Sequence, residues 1–203
     1  GMVLDGVIVN ENLPWPVAIG ALRAATGLKE LEVINDFEAV AWATQFLAAS
    51  DTLPVIEPTQ RPEHGPVLVM GPGTGLGSAV LLPRAGHAQV LPTEAGQISL
   101  APGNAREGEV LRLLARERLH VSYEDVLSGP GLLNLYHALC ELRDEPVALM
   151  TPAEITGAAL TSHDSAARET LSVFCGLLGS FAGDLAMLYG ASGGVFLAGG
   201  ILP

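Results

Sequence analysis

Gly71-Pro72-Gly73-Thr74-Gly75-Leu76-Gly77 stands between two short apolar runs, Val67 to Met70 and Ala79 to Leu82. Four glycines in seven residues permit positive φ angles and close approach of backbone N–H groups to an oxyanion, and Thr74 adds a hydroxyl donor. A phosphate loop would end in Gly-Lys-Ser/Thr, and a dinucleotide fingerprint would continue into a helix. Here a strand follows the loop, so the spacing predicts a β-hairpin whose turn can clasp a phosphate. An ordinary glycine-rich hairpin is the competing reading, although two-residue turns are far commoner than a connection of this length.

Upstream, Val7 to Val9 is strand-like, and a loop with Pro14 and Pro16 opens a helix through about Ala25. Pro16 suits a first helical turn and Gly27 a C-terminal cap. Leu31 to Ile34 is expected to be a strand that passes at Asn35 and Asp36 into a helix reaching about Ala49, with Phe37, Val40, Ala41, Ala43, Phe46 and Leu47 as its apolar positions. Ser50 to Pro66 holds four prolines and little periodicity, which predicts a long loop or insertion.

Downstream, Ala88 to Leu91 is a further strand, leading into Pro92-Thr93-Glu94-Ala95-Gly96-Gln97. Helices are expected over about 105–119, 122–127, 131–143, 152–160 and 164–189. Thr151, Pro152 and Glu154 form a strong helix start, and Ser122 opens another in the same manner. A strand at 195–198 and a Gly-Gly turn close the chain. Alternating strands and helices make the class α/β.

Composition narrows the function. The chain has 203 residues with 22 acidic and 10 basic side chains, a formal net charge of −12, which argues against duplex nucleic acid and anionic membranes as partners. With 49% hydrophobic and 16% charged residues it is too apolar for a disordered chain. Lys29 is the only lysine, leaving one poorly placed candidate for a Schiff base or a phosphate-loop lysine. Cys140 and Cys175 cannot build a disulfide framework, lie in apolar helical patterns and are expected to be buried thiols, in keeping with a reducing cytoplasm. The histidines, at 64, 87, 120, 137 and 163, show no metal spacing, and no metal site is expected from protein side chains alone. Leu185 to Pro203 carries no charge, but its bracketing glycines favour a short buried strand over a membrane span.

Asn35 and Asp36 lie at a carboxyl-end edge where α/β sheets collect ligands. Asp36 there can serve as a general base, or one of the pair can simply cap the helix; both readings stand. Glu94 lies in a turn of small residues, and Glu124 in an expected first helical turn. Two carboxylates, an Asn-Asp pair and an anion-type loop suit a polyhydroxylated substrate and a phosphate donor. No serine or cysteine triad is present.

Taken in order, Ile34-Asn35-Asp36-Phe37, the 71–77 stretch, Val126 to Tyr136 with its Leu127-Ser128-Gly129-Pro130-Gly131 core, and Gly193 to Pro203 resemble the bacterial glucokinase family. That family belongs to the actin-like, ribonuclease-H-like sugar kinases, and the likeness runs from about Asp5 to the last residue. It implies ATP-dependent phosphorylation of the glucose 6-hydroxyl with magnesium, in the cytoplasm. It implies Asp36 as catalytic base, and Asn10, Asn35, Asp36 itself, Glu94, Gln97 and Glu124 as sugar contacts. Gly73, Thr74, Gly75 and Gly77 would meet the ATP phosphates, and Gly199 and Gly200 would lie near the adenosine.

Two departures accompany the resemblance. Ala95-Gly96-Gln97 replaces the family's Gly-Gly-His, and Gln97 can donate a neutral hydrogen bond without an imidazole's charge. The family's opening Asp-x-Gly-Gly-Thr motif is absent. The resemblance therefore implies one incomplete large domain, divided into 1–36, 37–102 and 103–203, with impaired turnover; a homodimer is a separate expectation, from sheet edges and apolar helix faces left uncovered. A non-catalytic hexose sensor on the same scaffold is the alternative.

Overall fold

The computed structural model describes residues 2–9, 15–56, 65–84, 86–161 and 164–202. An antiparallel three-stranded sheet comes first, in the order β1 (Met2–Leu4), β2 (Val7–Val9), β3 (Val17–Ala18). Helix α1 (Ile19–Thr26) follows β3 directly. Pro16 is outside the helix, contrary to expectation, because Val17 and Ala18 pair with Ile8 and Val7 and the ladder takes their backbone groups. Gly27 does cap α1, at φ 67°, a left-handed conformation that glycine adopts without strain.

The central sheet has four strands in the order β6 (His87–Thr93), β5 (Leu76–Arg84), β4 (Val67–Pro72), β7 (Gly194–Leu197). β4, β5 and β6 are antiparallel, and β7 pairs parallel to β4 from Val67↔Gly194 to Met70↔Leu197. Side chains of a strand alternate between faces, and the core divides accordingly. Leu68, Met70, Leu76 and Val80 join the large cluster under the C-terminal helices. Val69, Ala79, Leu81 and Val90 face the other way, onto Ala41, Phe37 and Val40 of α2 (Asp36–Ala43). Burying both faces explains why β4 and β5 are nearly continuous apolar runs rather than alternating ones.

The helical side consists of α3 (Ala105–Leu114), α4 (Gly129–Arg143), α5 (Pro152–Thr161) and α6 (Ser165–Tyr189). The start of α5 has the expected reciprocal cap. Glu154 N–H donates to Thr151 Oγ1 at 3.2 Å, and Glu154 Oε2 accepts from Met150 N and Thr151 N, which holds its carboxyl below the ordinary range. Long and apolar enough by composition to cross a membrane, α6 lays Ala167, Thr170, Phe174, Leu177, Phe181 and Leu185 into the core. Glu169 on α6 joins the helices electrostatically: Arg106 Nε of α3 donates to it at 2.6 Å and Arg143 Nη1 of α4 at 3.0 Å.

Several expectations are corrected. Leu31 to Ile34 is not a strand; no described strand runs beside it, so its backbone has no ladder, and Val33 and Ile34 are exposed. Helix α2 stops at Ala43, followed by a short 3₁₀ turn, with Phe46 84% exposed, because nothing described covers that apolar end. Helix α3 ends at Leu114 rather than 119. Residues 122–127 form a turn, not a helix: Ser122 N–H closes onto Asp125 Oδ2 at 2.8 Å, and Ser128 then caps α4. β7 is half-exposed rather than buried, since the described sheet flanks it on one side only. Cys140 is buried as expected, but Cys175 is exposed, lying outside the stripe of α6 centred on Phe174, Leu177 and Phe181 that enters the core.

Candidate functional site

The glycine-rich hairpin is tighter than its sequence suggests, because the strands run into it. β4 continues through Pro72 and β5 resumes at Leu76, leaving Gly73-Thr74-Gly75 as the tip. Gly73 N–H donates to Gly75 O at 2.8 Å across this tip. Two bonds from outside fix its shape. The first residue of α4 donates from Gly129 N to Gly73 O at 2.8 Å, and Leu76 N donates to Glu124 Oε2 at 2.8 Å.

The glycines divide into packed and open ones. A side chain at Gly71 would strike the Ala198 carbonyl, and one at Gly199 (φ +121°) would strike the Pro72 carbonyl. The Ala198-Gly199-Gly200 turn is thus seated on the base of the hairpin, continuing β7 through the bond from Ala198 N to Met70 O at 2.9 Å. Gly75 backs onto the Glu124 carboxylate and Gly77 onto the Phe37 ring. Gly73 and Gly200 have nothing within 4 Å of the Cβ position, and Thr74 is exposed. The tip is therefore braced from behind and leaves room for a group approaching Gly73 and Thr74, which fits a phosphate.

At the start of α2, Asn35 is the cap. Its Oδ1 accepts from Phe37 N at 2.8 Å and Glu38 N at 3.3 Å. Asp36 is the first helical residue, exposed, and its Oδ1 also accepts from Phe37 N, at 2.9 Å. The capping work thus falls chiefly to Asn35, and the Asp36 carboxylate keeps its remaining lone pairs toward solvent. Asn35 and Glu94 come together with Glu38, Pro92 and Thr93 around a cleft of about 300 Å³. Asp36 lines neither this cleft nor a second one of about 240 Å³, bordered by Thr74, Arg118, Glu124, Ser128 and Asn134.

Glu124 and Gln97 meet directly: Gln97 Nε2 donates to Glu124 Oε1 at 2.8 Å. Glu124 is in a turn, so its position owes nothing to a helix dipole; Glu124 N donates to Gly96 O at 2.9 Å and Glu124 O accepts from Ser128 Oγ at 2.8 Å. Asn10 lies outside the described residues. Among the described residues no group of three His, Cys, Asp or Glu could hold a metal ion unaided.

Three contributors escaped the sequence reading. Glu38 shares the Asn35 cleft, and its signal was the spacing Asn-x-x-Glu at a helix start. Phe37 and Ser128 act by contact across 40 residues and by capping, respectively, and only the second carried a sequence signal, Ser before Gly-Pro-Gly.

Comparison with known proteins bears on this arrangement. The family model described as Glucokinase matches residues 1–203. A "Glucokinase-like protein" of Xylella fastidiosa is 47% identical over 98% of this chain and 59% of its own length. A crystal structure of a glucokinase from an Antarctic psychrotroph superposes with a TM-score of 0.87 and 40% identity, covering 100% of this chain and 63% of that one. A glucokinase from Balamuthia mandrillaris, solved in complex with glucose, gives a TM-score of 0.67 at 26% identity over 82% of this chain and 50% of that one. The chain thus spans about three-fifths of the curated relatives' length. The observed α/β fold is the ribonuclease-H-like one of these sugar kinases.

Proposed function

The chain belongs to the glucokinase family, and from that membership we propose that the protein carrying it transfers the γ-phosphoryl group of ATP to the 6-hydroxyl of glucose in the cytoplasm. The observation that carries the reading is the seating of the Phe37 ring on Gly77, which ties the helix start bearing Asn35 and Asp36 to the strand leaving the phosphate-type hairpin. An acceptor side and a donor side are thereby packed against each other.

When bound, ATP supplies the transferable phosphoryl group, and magnesium spreads the charge of its phosphates. Asp36 accepts the proton of the attacking hydroxyl, a task for an exposed carboxylate with free lone pairs. Asn35 and Glu94, around one cleft, offer an amide and a carboxylate to sugar hydroxyls, and Glu124 with Gln97 offers a second such pair. The open tip at Gly73 and Thr74 receives the phosphates, and the Gly199-Gly200 turn borders the nucleotide. Phosphoryl transfer needs such positioning and donors rather than a covalent nucleophile.

The test is calorimetric and kinetic. In the protein that carries this chain, glucose and magnesium-ATP should each bind, and ADP should be released only when both are present. Hexose binding without nucleotide binding would replace this reading by the non-catalytic sensor. Light scattering at the same concentrations decides the homodimer, whose mass would be twice that of one chain.

A further inference from the structure

Glu124 does more than border a cleft. Both of its carboxylate oxygens already hold protein donors: Oε2 takes Leu76 N–H at 2.8 Å and Oε1 takes Gln97 Nε2 at 2.8 Å. The carboxylate fills the space behind Gly75, with Oε2 2.6 Å from where a Cβ would stand there. Four residues on, Ser128 Oγ donates to the Glu124 carbonyl at 2.8 Å and caps α4 by accepting from Gly131 N at 3.0 Å. The next residue donates from Gly129 N to Gly73 O. The two ends of the hairpin tip, Gly73 O and Leu76 N–H, are therefore both gripped by the single segment 124–129.

We infer that Glu124 is a positioning residue for the phosphate side, its carboxylate setting the shape of the hairpin tip in which the nucleotide phosphates are received. The inference rests on the phosphoryl-transfer reading but adds a role that a sugar contact alone does not have. A carboxylate oxygen accepts more than one hydrogen bond, so a sugar hydroxyl reaching Glu124 joins a carboxylate that already restrains the tip through Oε2. Sugar and nucleotide binding are thereby coupled through one side chain, and such coupling is reciprocal.

The test uses affinity for a non-hydrolysable ATP analogue with magnesium and no sugar, measured by calorimetry on the protein that carries this chain. Glu124→Ala removes both bonds and should weaken analogue binding about tenfold, the order expected when a charge-assisted bond to a charged partner is lost. Glu124→Gln is the rescue. Its side-chain oxygen still accepts from Leu76 N–H, and the Gln97 amide can turn to present its own oxygen, so analogue affinity should return to within about twofold. Thermal unfolding of both variants separates a loosened fold from a displaced tip.

Unchanged analogue affinity in Glu124→Ala, with loss of glucose affinity alone, overturns the positioning role and leaves the kinase reading intact. Equal weakening by Ala and Gln overturns it as well, since the charge and not the tip bond would then be what matters. No analogue binding by the unaltered protein overturns both readings together.

Discussion

The ring of Phe37 occupies the space that a side chain at Gly77 would need. Phe37 follows the candidate base Asp36 in α2, and Gly77 is the second residue of β5, just past the hairpin tip. Because Phe37 also contributes its N–H to both Asn35 and Asp36, one residue fixes the carboxylate and the phosphate-side strand relative to each other. Near-attack geometry tolerates little displacement, so the contact bears on rate as well as stability.

Gly77→Ala should therefore be costly out of proportion to one methyl group. The ring has to move, and overpacking of this kind destabilises by about 1–3 kcal/mol. Turnover of the protein carrying this chain should fall about tenfold or more, while analogue binding at the tip changes less. Urea unfolding together with initial rates of ADP release checks this; a variant with wild-type rate would show that the Phe37 seat does not aim Asp36.

Asp36→Asn preserves the acceptor for Phe37 N–H and removes only the basic group. Turnover should drop by about two orders of magnitude or more, the usual scale for losing a general base. Glucose affinity should stay within about threefold, because the Asn35 and Glu94 cleft does not include Asp36. Titration calorimetry and steady-state rates read the two quantities separately; undiminished turnover would remove Asp36 from the chemistry.

Asn35→Ala gives the complementary outcome. Its Oδ1 satisfies two backbone donors of α2, so stability should fall by about 1 kcal/mol. A thermal midpoint lower by about 2–4 °C is the corresponding shift for a chain of this size. Glucose affinity should fall too, since the same amide lines the cleft with Glu94. If stability alone changes, Asn35 is a cap and nothing more.

What was legible in the sequence was what local chemistry dictates. Glycines between two apolar runs mark the hairpin, and Thr151-Pro152 with Glu154 marks a helix start, because turn and cap preferences act within a few residues. Leu31 to Ile34 misled because a short segment with β-branched Val33 and Ile34 is only a strand if a neighbour supplies its ladder, and none of the described strands does. Ser122 with Asp125 misled for the opposite reason: the capping bond forms, but Ser128 and Pro130 start a new helix before the first can grow. The Gln97–Glu124 bond and the Phe37–Gly77 contact join residues 27 and 40 positions apart, beyond any periodic signal.

Acid should weaken the helical side through Glu169. Its carboxyl is held below the usual range first by the Arg106 hydrogen bond and, against the opposing effect of burial, by Arg143. A carboxylate with a depressed native pKa adds stability that is fully present above its unfolded value, about 4.3, and lost as the pH falls through the native value. The arginines stay charged throughout, so protonated Glu169 leaves two guanidinium groups facing a neutral acid. Glu169→Gln should cost about 1–3 kcal/mol at pH 7, since two charge-assisted bonds from α3 and α4 lose their anion. That deficit relative to the unaltered chain should shrink as the pH is lowered from about 5 through the depressed native pKa, below which the native carboxylate itself is neutral. Urea midpoints collected across this range decide the matter. A deficit that stays constant with pH would mean that Glu169 contributes packing and not charge.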